Sequence, residues 1–454
     1  MEMQGEPRHA GMLAGFPAVA GSLDAAPEAL ATAAEDFGHL ISRRPLAVLR
    51  PGSAHDVATA VRWAARHRMP LAARGQGHSV YGRAQVEGGL VVDMSSLGAV
   101  RAVEPDRVVV DAGATWQSVL DATLPHRLTP PVLTDYLGLS VGGTISAGGI
   151  GGMTFRRGFQ SCNVIELEVV TGSGDLVTCS TMRHPELFDA VRAGLGQFGI
   201  ITRAVLPLVP APEQIRLHTL TYRDALTLTA DQRRLLTMDG IDYLEGAIRP
   251  HSSGWQHVIE VAVGLPGDRG VPAGLSDDRA QAESADMPYL DLFRRLSQLE
   301  NQLRSTGAWR HPHPWLNSFL PDSTTDAVIV ELLRTLDPLE LGEYGRILIY
   351  PFLPAHARTP LLRLPEEDVA FLVNLVRFPK NDPSLANDLV EANRVVYDRV
   401  RAAGGRSYPV SAVALTQADW KDHFGPAWPA VLDAKDRFDP RHLLSPGQEM
   451  FPPR

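Results

Sequence analysis

The chain has 454 residues, of which 44% are hydrophobic and 21% are charged, and this length favours two domains over a single core. Its 43 basic and 52 acidic residues give a net charge of −9, which argues against a nucleic acid or an anionic membrane surface as partner. The two cysteines, Cys162 and Cys179, are too few for a disulfide framework or a cysteine metal site.

The sequence shows no membrane-spanning segment, because no apolar stretch is long enough. Residues 10–21 are weakly apolar, but Glu2 and Glu6 precede them with only Arg8 as a basic residue. Such a flank is poor for a signal peptide. The sequence therefore favours a cytoplasmic protein and leaves secretion open.

The first half of the chain alternates predicted helices and strands without a regular βαβ repeat. Ser53 and Asp56, three residues apart, precede apolar positions at helical spacing, which is typical of a capped helix start. Helices are predicted at residues 27–37, from 54 onward and at 116–124, and strands at 45–49, 71–73, 89–94 and 107–112. This pattern predicts an α+β fold with two small layers, not one doubly wound sheet.

A loop of five residues after the strand at 71–73 is the first candidate binding element. Gly75 and Gly77 flank Gln76, so the backbone can adopt positive φ and approach a ligand closely. Successive N–H groups in such a turn can form an anion-binding concavity suited to a pyrophosphate. His78 and Ser79 complete this segment, called here the histidine loop. Its spacing fits neither a Walker loop nor the Rossmann fingerprint, and these residues alone leave open an ordinary glycine turn.

Residues 142–152 are unusually rich in glycine. We predict irregular coil here, because glycine is unfavourable inside helices and strands, and such backbone can lie flat against a bulky planar ligand. Ser140 just before it fits the hydrolase pattern G-x-S-x-G, but that pattern requires a helix after the serine. The expected coil therefore disfavours a serine hydrolase.

Six short motifs carry a resemblance to a known family: Arg74-Gly75-x-Gly77-His78-Ser79, Thr134-Asp135-Tyr136-Leu137, Val141-Gly142-Gly143-Thr144, Gly196-Gln197-Phe198-Gly199, His313-Pro314-Trp315-Leu316-Asn317 and Leu443-Leu444-Ser445-Pro446-Gly447-Gln448. Together they resemble the cytokinin dehydrogenases of the vanillyl-alcohol oxidase and p-cresol methylhydroxylase superfamily of flavoproteins. The resemblance runs in the family's order from about residue 37 to the C terminus.

The resemblance implies an α+β fold in which a two-subdomain FAD-binding domain of the p-cresol methylhydroxylase type carries an α+β substrate cap domain. Residues 1–209 would form the FAD-binding domain and residues 210–410 the cap. Residues 411–454 would return to the FAD-binding domain.

The resemblance also implies FAD bonded covalently through its 8α-methyl group to His78. Imidazole suits this bond because it is a nucleophile near neutral pH. The further FAD contacts that the family positions imply are Gly75, Gln76, Gly77, Ser79, Asp135, Ser140, Ser146, Ile150, Ile201, Ser445 and Gln448.

Asp135 matches the family's proton acceptor. Hydride leaves a carbon bearing nitrogen or oxygen more easily as the N–H or O–H proton departs, so a nearby carboxylate is useful. The alternative is an aspartate that caps local turn backbone. The implied substrate contacts are Trp315, Asn317, Leu299 and Val410. No metal is expected, because His311 and His313 have no carboxylate or cysteine cluster beside them.

Three positions depart from the family pattern. Leu299 stands where an acidic residue is expected at the cavity entrance, with Glu300 beside it. Val410 stands where a flavin-adjacent tyrosine is expected, with Tyr408 two residues away, and Arg83 replaces an expected glutamine. These departures leave the flavin chemistry in place and weaken the case for adenine-type cytokinins.

We therefore expect an FAD-dependent dehydrogenase or oxidase that removes hydride from a carbon bearing an amine. It is most like a cytokinin dehydrogenase acting on N6-alkyl adenines, with dioxygen or a quinone as electron acceptor. One alternative is a related covalent-flavin oxidase of another amine or alcohol in specialised metabolism. The other is a flavin- or ligand-binding protein without turnover, which an intact Asp135 beside an intact histidine loop disfavours.

Overall fold

A computed structural model describes residues 13, 15–252, 254–266 and 270–452. Most of the N-terminal stretch that precedes residue 15, including the flank used to predict the compartment, lies outside these residues. Within the described ranges, no helix is both long and apolar enough to cross a membrane.

The described residues form α-helices and β-strands that are numbered here in chain order. The helices are α1 (Pro27–Ala33), α2 (Ala54–His67), α3 (Trp116–Thr123), α4 (Val141–Ala147), α5 (Thr154–Arg157), α6 (Pro185–Val191), α7 (Ala225–Thr237), α8 (Tyr289–Ser305), α9 (Asp322–Thr335), α10 (Pro338–Leu341), α11 (Pro383–Ala402), α12 (Gln417–Phe424) and α13 (Trp428–Phe438). The strands are β1 (Ser22–Asp24), β2 (Ala47–Arg50), β3 (Leu71–Arg74), β4 (Leu90–Asp93), β5 (Val100–Val103), β6 (Arg107–Asp111), β7 (Leu128–Thr129), β8 (Glu166–Val170), β9 (Leu176–Ser180), β10 (Ile200–Pro207), β11 (Val209–Pro210), β12 (Gln214–Tyr222), β13 (Tyr243–His251), β14 (Gly254–Leu265), β15 (Glu283–Pro288), β16 (Leu316–Pro321), β17 (Arg346–Phe352), β18 (Ala370–Val376) and β19 (Arg406–Ser407).

Two small sheets occupy the first half of the chain, as the α+β class predicts. The first has the order β1-β2-β4-β3, with β2 and β3 parallel to β4. Helix α2 begins where predicted, because the Ser53 side chain accepts from the Asp56 N–H, and its buried face includes Val57 and Trp63. The second sheet, β5-β6-β10-β8-β9, is antiparallel. The histidine loop therefore begins directly at the end of β3.

A third, antiparallel sheet has eight strands in the order β15-β12-β14-β13-β17-β18-β16-β19. Side chains alternate across a strand, so every second residue of β13 and β17 lies on the same face. Leu244 and Ile248 lie buried on one face of β13, while Tyr243 and Glu245 lie on the other. This second face carries the polar half of the candidate site.

The C-terminal segment pairs with β3. The Leu71 N–H donates to the Leu443 carbonyl at 2.9 Å, and the Ser445 N–H donates to the Leu71 carbonyl at 2.8 Å. The buried Arg83 guanidinium adds a second connection by donating to main-chain carbonyls, namely those of Val413, Gly447 and Gln448. The arginine that replaces an expected glutamine thus joins the C-terminal turn to the segment after the histidine loop.

The glycine-rich segment differs from its prediction, because residues 141–147 form the short helix α4 and not coil. Val141 and Ile145 are fully buried. A Cβ added at Gly142 would lie 2.7 Å from the Ala112 Cβ, so close packing requires the glycine. Helix stability in proteins comes mostly from such tertiary packing, which outweighs low intrinsic propensity here.

The expected coil was therefore the wrong ground for disfavouring a serine hydrolase. Ser140 is the N-cap of α4, with ordinary extended dihedral angles (φ −80, ψ 146). A nucleophilic serine needs a base within hydrogen-bond reach, and no hydrogen bond from a histidine to Ser140 occurs in the described part of the chain. A serine hydrolase is therefore still disfavoured, because Ser140 has no histidine base within hydrogen-bond reach among the described residues.

Candidate active site

A cavity of about 730 Å³ lies where the three main parts of the fold meet. Its volume is typical of small-molecule and cofactor sites. Its wall comes from the histidine loop, helix α4, the C-terminal turn, helix α8 and the eight-stranded sheet. All residues proposed from sequence line it: Gly75, Gln76, Gly77, His78, Ser79, Asp135, Ser140, Ser146, Ile150, Ile201, Leu299, Trp315, Asn317, Val410, Ser445 and Gln448.

His78 lies in a stack of aromatic rings. Its ring centroid is 4.1 Å from that of Phe37 and 4.8 Å from that of Tyr136, with both pairs close to parallel. The Phe37 N–H also donates to the Gly77 carbonyl at 2.8 Å. Burial, followed by the nearby Arg304 charge, lowers the pKa of His78 to about 3. The imidazole is therefore neutral at pH 7, and its ring nitrogen is available as a nucleophile.

Asp36 fixes the far end of the histidine loop. Its carboxylate accepts from the Ser79 hydroxyl and the Gly82 N–H, both at 2.7 Å, and from the Gly38 N–H at 3.1 Å. Burial raises the pKa of Asp36 to about 6 against these hydrogen bonds. The Ser79 hydroxyl proton is already donated to Asp36. The Ser79 oxygen can therefore only accept a hydrogen bond from a ligand.

The residues around the histidine loop fit an FAD molecule. In the described part of the chain, the N–H groups of residues 76–79 donate to no protein group, which leaves them to a phosphate. The loop runs so close to Ser140 that a Cβ added at Gly75 would lie 2.1 Å from its hydroxyl oxygen. Gln448 also places a buried side-chain oxygen at the cavity wall, and this oxygen has no hydrogen-bond partner among the described residues.

Asp135 belongs to a ring of four oxygen contacts. The Tyr243 hydroxyl donates to Asp135 Oδ1 and the Tyr350 hydroxyl to Oδ2, each at 2.7 Å. The same two hydroxyl oxygens lie 2.5 Å and 3.1 Å from Glu245 Oε2. Two carboxyl groups are thus linked through two tyrosines.

A proton count assigns different states to the two carboxyl groups. The two hydroxyls supply only two protons for four contacts, and one proton on a carboxyl group would allow three of the four contacts to be hydrogen bonds. Burial, followed by the charge of Asp135, raises the pKa of Glu245 to about 7. Protonated Glu245 can donate to the Tyr243 oxygen, while ionised Asp135 accepts from both tyrosines.

The electrostatics of Asp135 suit a base that works near neutral pH. Burial raises its pKa, and the two tyrosine hydrogen bonds and Arg295 oppose that shift. Arg295 donates to the Tyr243 oxygen at 3.1 Å and forms an ion pair with Glu260. Among the described residues, the Asp135 carboxylate thus accepts from two tyrosines that are distant in sequence and not from local turn backbone.

Helix α8 presents an apolar row to the cavity: Leu292, Leu296, Leu299 and Leu303. Leu299 therefore faces the cavity, as proposed. Glu300 lines its edge, where it accepts from Arg304 at 2.8 Å and contacts the Tyr136 hydroxyl. Its carboxylate is already engaged by this arginine.

Trp315 and Tyr408 form part of the opposite wall. The Trp315 indole N–H donates to the Arg377 carbonyl at 2.9 Å, which fixes the ring. The Tyr408 hydroxyl accepts from the Gly149 N–H at 3.0 Å. A tyrosine thus lines the cavity two residues before Val410, and both side chains are present there.

Sequence reasoning missed Tyr243, Glu245 and Tyr350. The signal that could have found the first two is a glutamate two residues after a tyrosine in the mostly apolar first half of a strand, since this spacing places both on one face. Sequence alone could not show that β17 brings Tyr350 beside them.

Comparisons with known proteins identify the family. An FAD-binding-domain family model matches residues 45–180, and a model described as "Cytokinin dehydrogenase 1, FAD and cytokinin binding" matches residues 272–451. Cytokinin dehydrogenase 10 of Oryza sativa subsp. japonica is 37% identical, over 94% of this chain and 88% of that protein. Cytokinin dehydrogenase 2 of Arabidopsis thaliana is 34% identical, over 95% and 93% respectively.

Two bacterial proteins are also similar. An uncharacterized oxidoreductase of the fasciation locus of Rhodococcoides fascians is 38% identical, over 93% of this chain and 97% of that protein. The crystal structure of 6-hydroxy-D-nicotine oxidase from Arthrobacter nicotinovorans superposes with a TM-score of 0.72, covering 94% of this chain and 97% of that one. At 21% identity, this second likeness shows the fold alone.

The fold, the cavity and the family models together define an FAD-dependent oxidoreductase that acts on CH–NH groups. The resemblance and the fold class expected from sequence are confirmed. The chain belongs to the cytokinin dehydrogenase family.

Proposed function

We propose that this protein oxidises a cytokinin-like N6-alkyl adenine at the carbon attached to N6, with FAD bonded to His78. The observation that carries the proposal is the position of Asp135, whose carboxylate lines the same cavity as His78. The similarity to plant cytokinin dehydrogenases supports the substrate class.

The residues of the cavity have separate roles in this proposal. When bound, the flavin supplies the acceptor for the hydride. Asp135 takes the proton from the substrate N–H, while Tyr243 and Tyr350 hold the carboxylate in place. The leucines of α8 and the Trp315 ring exclude water and hold the apolar part of the substrate. Dioxygen or a quinone then regenerates the oxidised enzyme.

The substrate proposal predicts weak binding of N6-isopentenyladenine, because Leu299 replaces the acid expected at the entrance. A purine N–H left without an acceptor costs about 1–3 kcal/mol, or roughly five- to two-hundred-fold in affinity. Leu299→Glu should recover part of the lost affinity. The measurement is an anaerobic titration of both proteins with the same adenines, followed by bleaching of the flavin absorbance.

Leu299→Met is the matched control, since it keeps the volume and adds no carboxylate. It should leave the affinity unchanged. Tight binding to the unaltered protein, or no gain in Leu299→Glu, would contradict the argument from this position.

A different amine or an alcohol is the second candidate substrate. The apolar row on α8 favours it, because its four leucine side chains cannot accept from a purine N–H and Glu300 on the same helix is engaged by Arg304. In the same titration, a panel of alkyl and aryl amines and alcohols should then bleach the flavin where adenines do not.

The proton count predicts a particular dependence of flavin reduction on pH. The pKa of Glu245 is raised to about 7 and that of Asp135 is also raised, so the base is lost as pH falls through the pair's pKa values. The reductive rate should therefore rise with pH and level off above neutrality. Glu245→Gln removes one titrating group and its charge, which should move the inflection to lower pH.

Stopped-flow reduction across a pH series measures this shift. Glu300→Gln is the control, because Glu300 lines the cavity outside the oxygen ring, and it should leave the inflection in place. An identical profile for Glu245→Gln would show that Glu245 does not titrate with the base.

A further inference from the structure

Two arginines lie side by side on the wall of the cavity, away from the oxygen ring. Strands β13 and β17 pair up to Ile248 and Ile347. The next residue on each strand is an arginine, Arg249 on β13 and Arg346 on β17, and both line the cavity. Asn374 on the neighbouring strand β18, which pairs with Leu348, lines it as well.

Arg346 has no direct ion-pair partner in the described structure, although Glu245 and Glu260 act on its charge from a greater distance. Among the described residues it forms no ion pair or hydrogen bond. Glu260 forms an ion pair with Arg249 at 3.7 Å and is also engaged by Arg295. Burial, followed by the Arg249 charge, lowers the pKa of Arg346, but arginine side chains remain cationic in proteins at pH 7.

Two further polar atoms near Arg346 lack protein partners. Arg249 Nε and Asn374 Oδ1 are both buried, and neither has a hydrogen bond within the described chain. Buried polar groups are normally satisfied, so a group of this kind needs an explanation. A bound ligand that offers several oxygens would provide one.

We propose that the substrate carries an anionic group, a carboxylate or a phosphate, that binds Arg346 and Arg249 beside Asn374. Arginine pairs with both anions through two parallel hydrogen bonds. The inference rests on the proposed function in one respect, the assignment of Asp135 as the reacting end.

The strands set the distance between the two ends of such a substrate. Tyr350 and Arg346 are four residues apart on β17, as are Glu245 and Arg249 on β13. At about 3.3 Å per residue this is about 13 Å along each strand. This is the spacing of the main-chain positions, and the Arg346 side chain lies near enough to Glu245 and Tyr350 for their charges to act on it. The anionic group would therefore lie at most about 13 Å from the carbon that reacts beside Asp135.

Isothermal titration calorimetry of the flavin-loaded protein tests the inference without turnover. The probes are 6-phenylhexanoate, 6-phenylhexyl phosphate and uncharged 6-phenylhexanol, which share one apolar arm of suitable length. At least one anion should bind about tenfold to a hundredfold more tightly than the alcohol. The better anion identifies the group. In Arg346→Gln this preference should disappear, while the affinity for the alcohol stays unchanged.

Two variants serve as controls. Arg334→Gln removes an exposed arginine on α9 that pairs with Glu331 and should keep the full preference. Arg346→Lys keeps the charge without the planar guanidinium and should therefore keep part of the preference for the anion.

Three outcomes would overturn the inference. They are equal or unmeasurable binding of the anions to the unaltered protein, a preference that survives Arg346→Gln, and loss of flavin from Arg346→Gln, which would assign the guanidinium to the cofactor. Failure of the proposed function is seen separately, as absence of flavin bleaching by any N6-alkyl adenine.

Discussion

Replacing Asp135 with asparagine should slow the reduction of the flavin by substrate by about 10²–10⁴-fold, the usual cost of losing a general base. The amide cannot take the substrate proton. It can still occupy the site, because its oxygen accepts from one tyrosine while the other tyrosine turns to donate to Glu245. We expect a normal flavin spectrum and melting temperature, with the slow rate visible in anaerobic stopped flow.

Tyr350→Phe provides the comparison for Asp135→Asn. It removes one of the two hydroxyls that hold the carboxylate and leaves the base itself in place. Its rate should lie between those of the unaltered protein and Asp135→Asn. An unimpaired rate in Asp135→Asn would reassign Asp135 to a structural role.

Acid-precipitated protein should stay yellow, and His78→Ala should release all of its flavin into the supernatant. The reason is the neutral, nucleophilic imidazole that the aromatic stack and its burial provide. The measurement is flavin absorbance in the pellet and the supernatant, together with the mass of the intact protein.

His313 offers a close control for His78. Its ring stacks on the same Phe37, with centroids 4.0 Å apart, and burial likewise lowers its pKa to about 3. It does not line the cavity, so His313→Gln should keep the flavin attached. Free flavin from the unaltered protein would refute covalent attachment while leaving FAD binding intact.

The cavity wall was predictable where its residues are neighbours in sequence. The histidine loop and the segment around Asp135 each concentrate unusual residues within a few positions, so local patterns point to them. The oxygen ring was not predictable in this way. The Asp135 partners Tyr243 and Tyr350 are 108 and 215 positions away, and only the register of the eight-stranded sheet brings them together.

Helix propensity gave the wrong prediction for α4 for a related reason. Gly142 is a poor helix residue by itself, but the approach of Ala112 requires a residue without a side chain there. The sequence shows the low helix propensity of glycine but not the packing contact that compensates for it.

The pairing of the C-terminal turn with β3 also fixes when the cavity can form. Ser445 and Gln448 are the last residues of its wall to be synthesised, and the strand that receives them, β3, leaves the ribosome more than three hundred and fifty residues earlier. A chain still being translated lacks this side of the pocket, and contacts between such distant segments form slowly. The complete wall is therefore available to a cofactor only after the segment that carries Ser445 and Gln448 has been synthesised and has paired with β3.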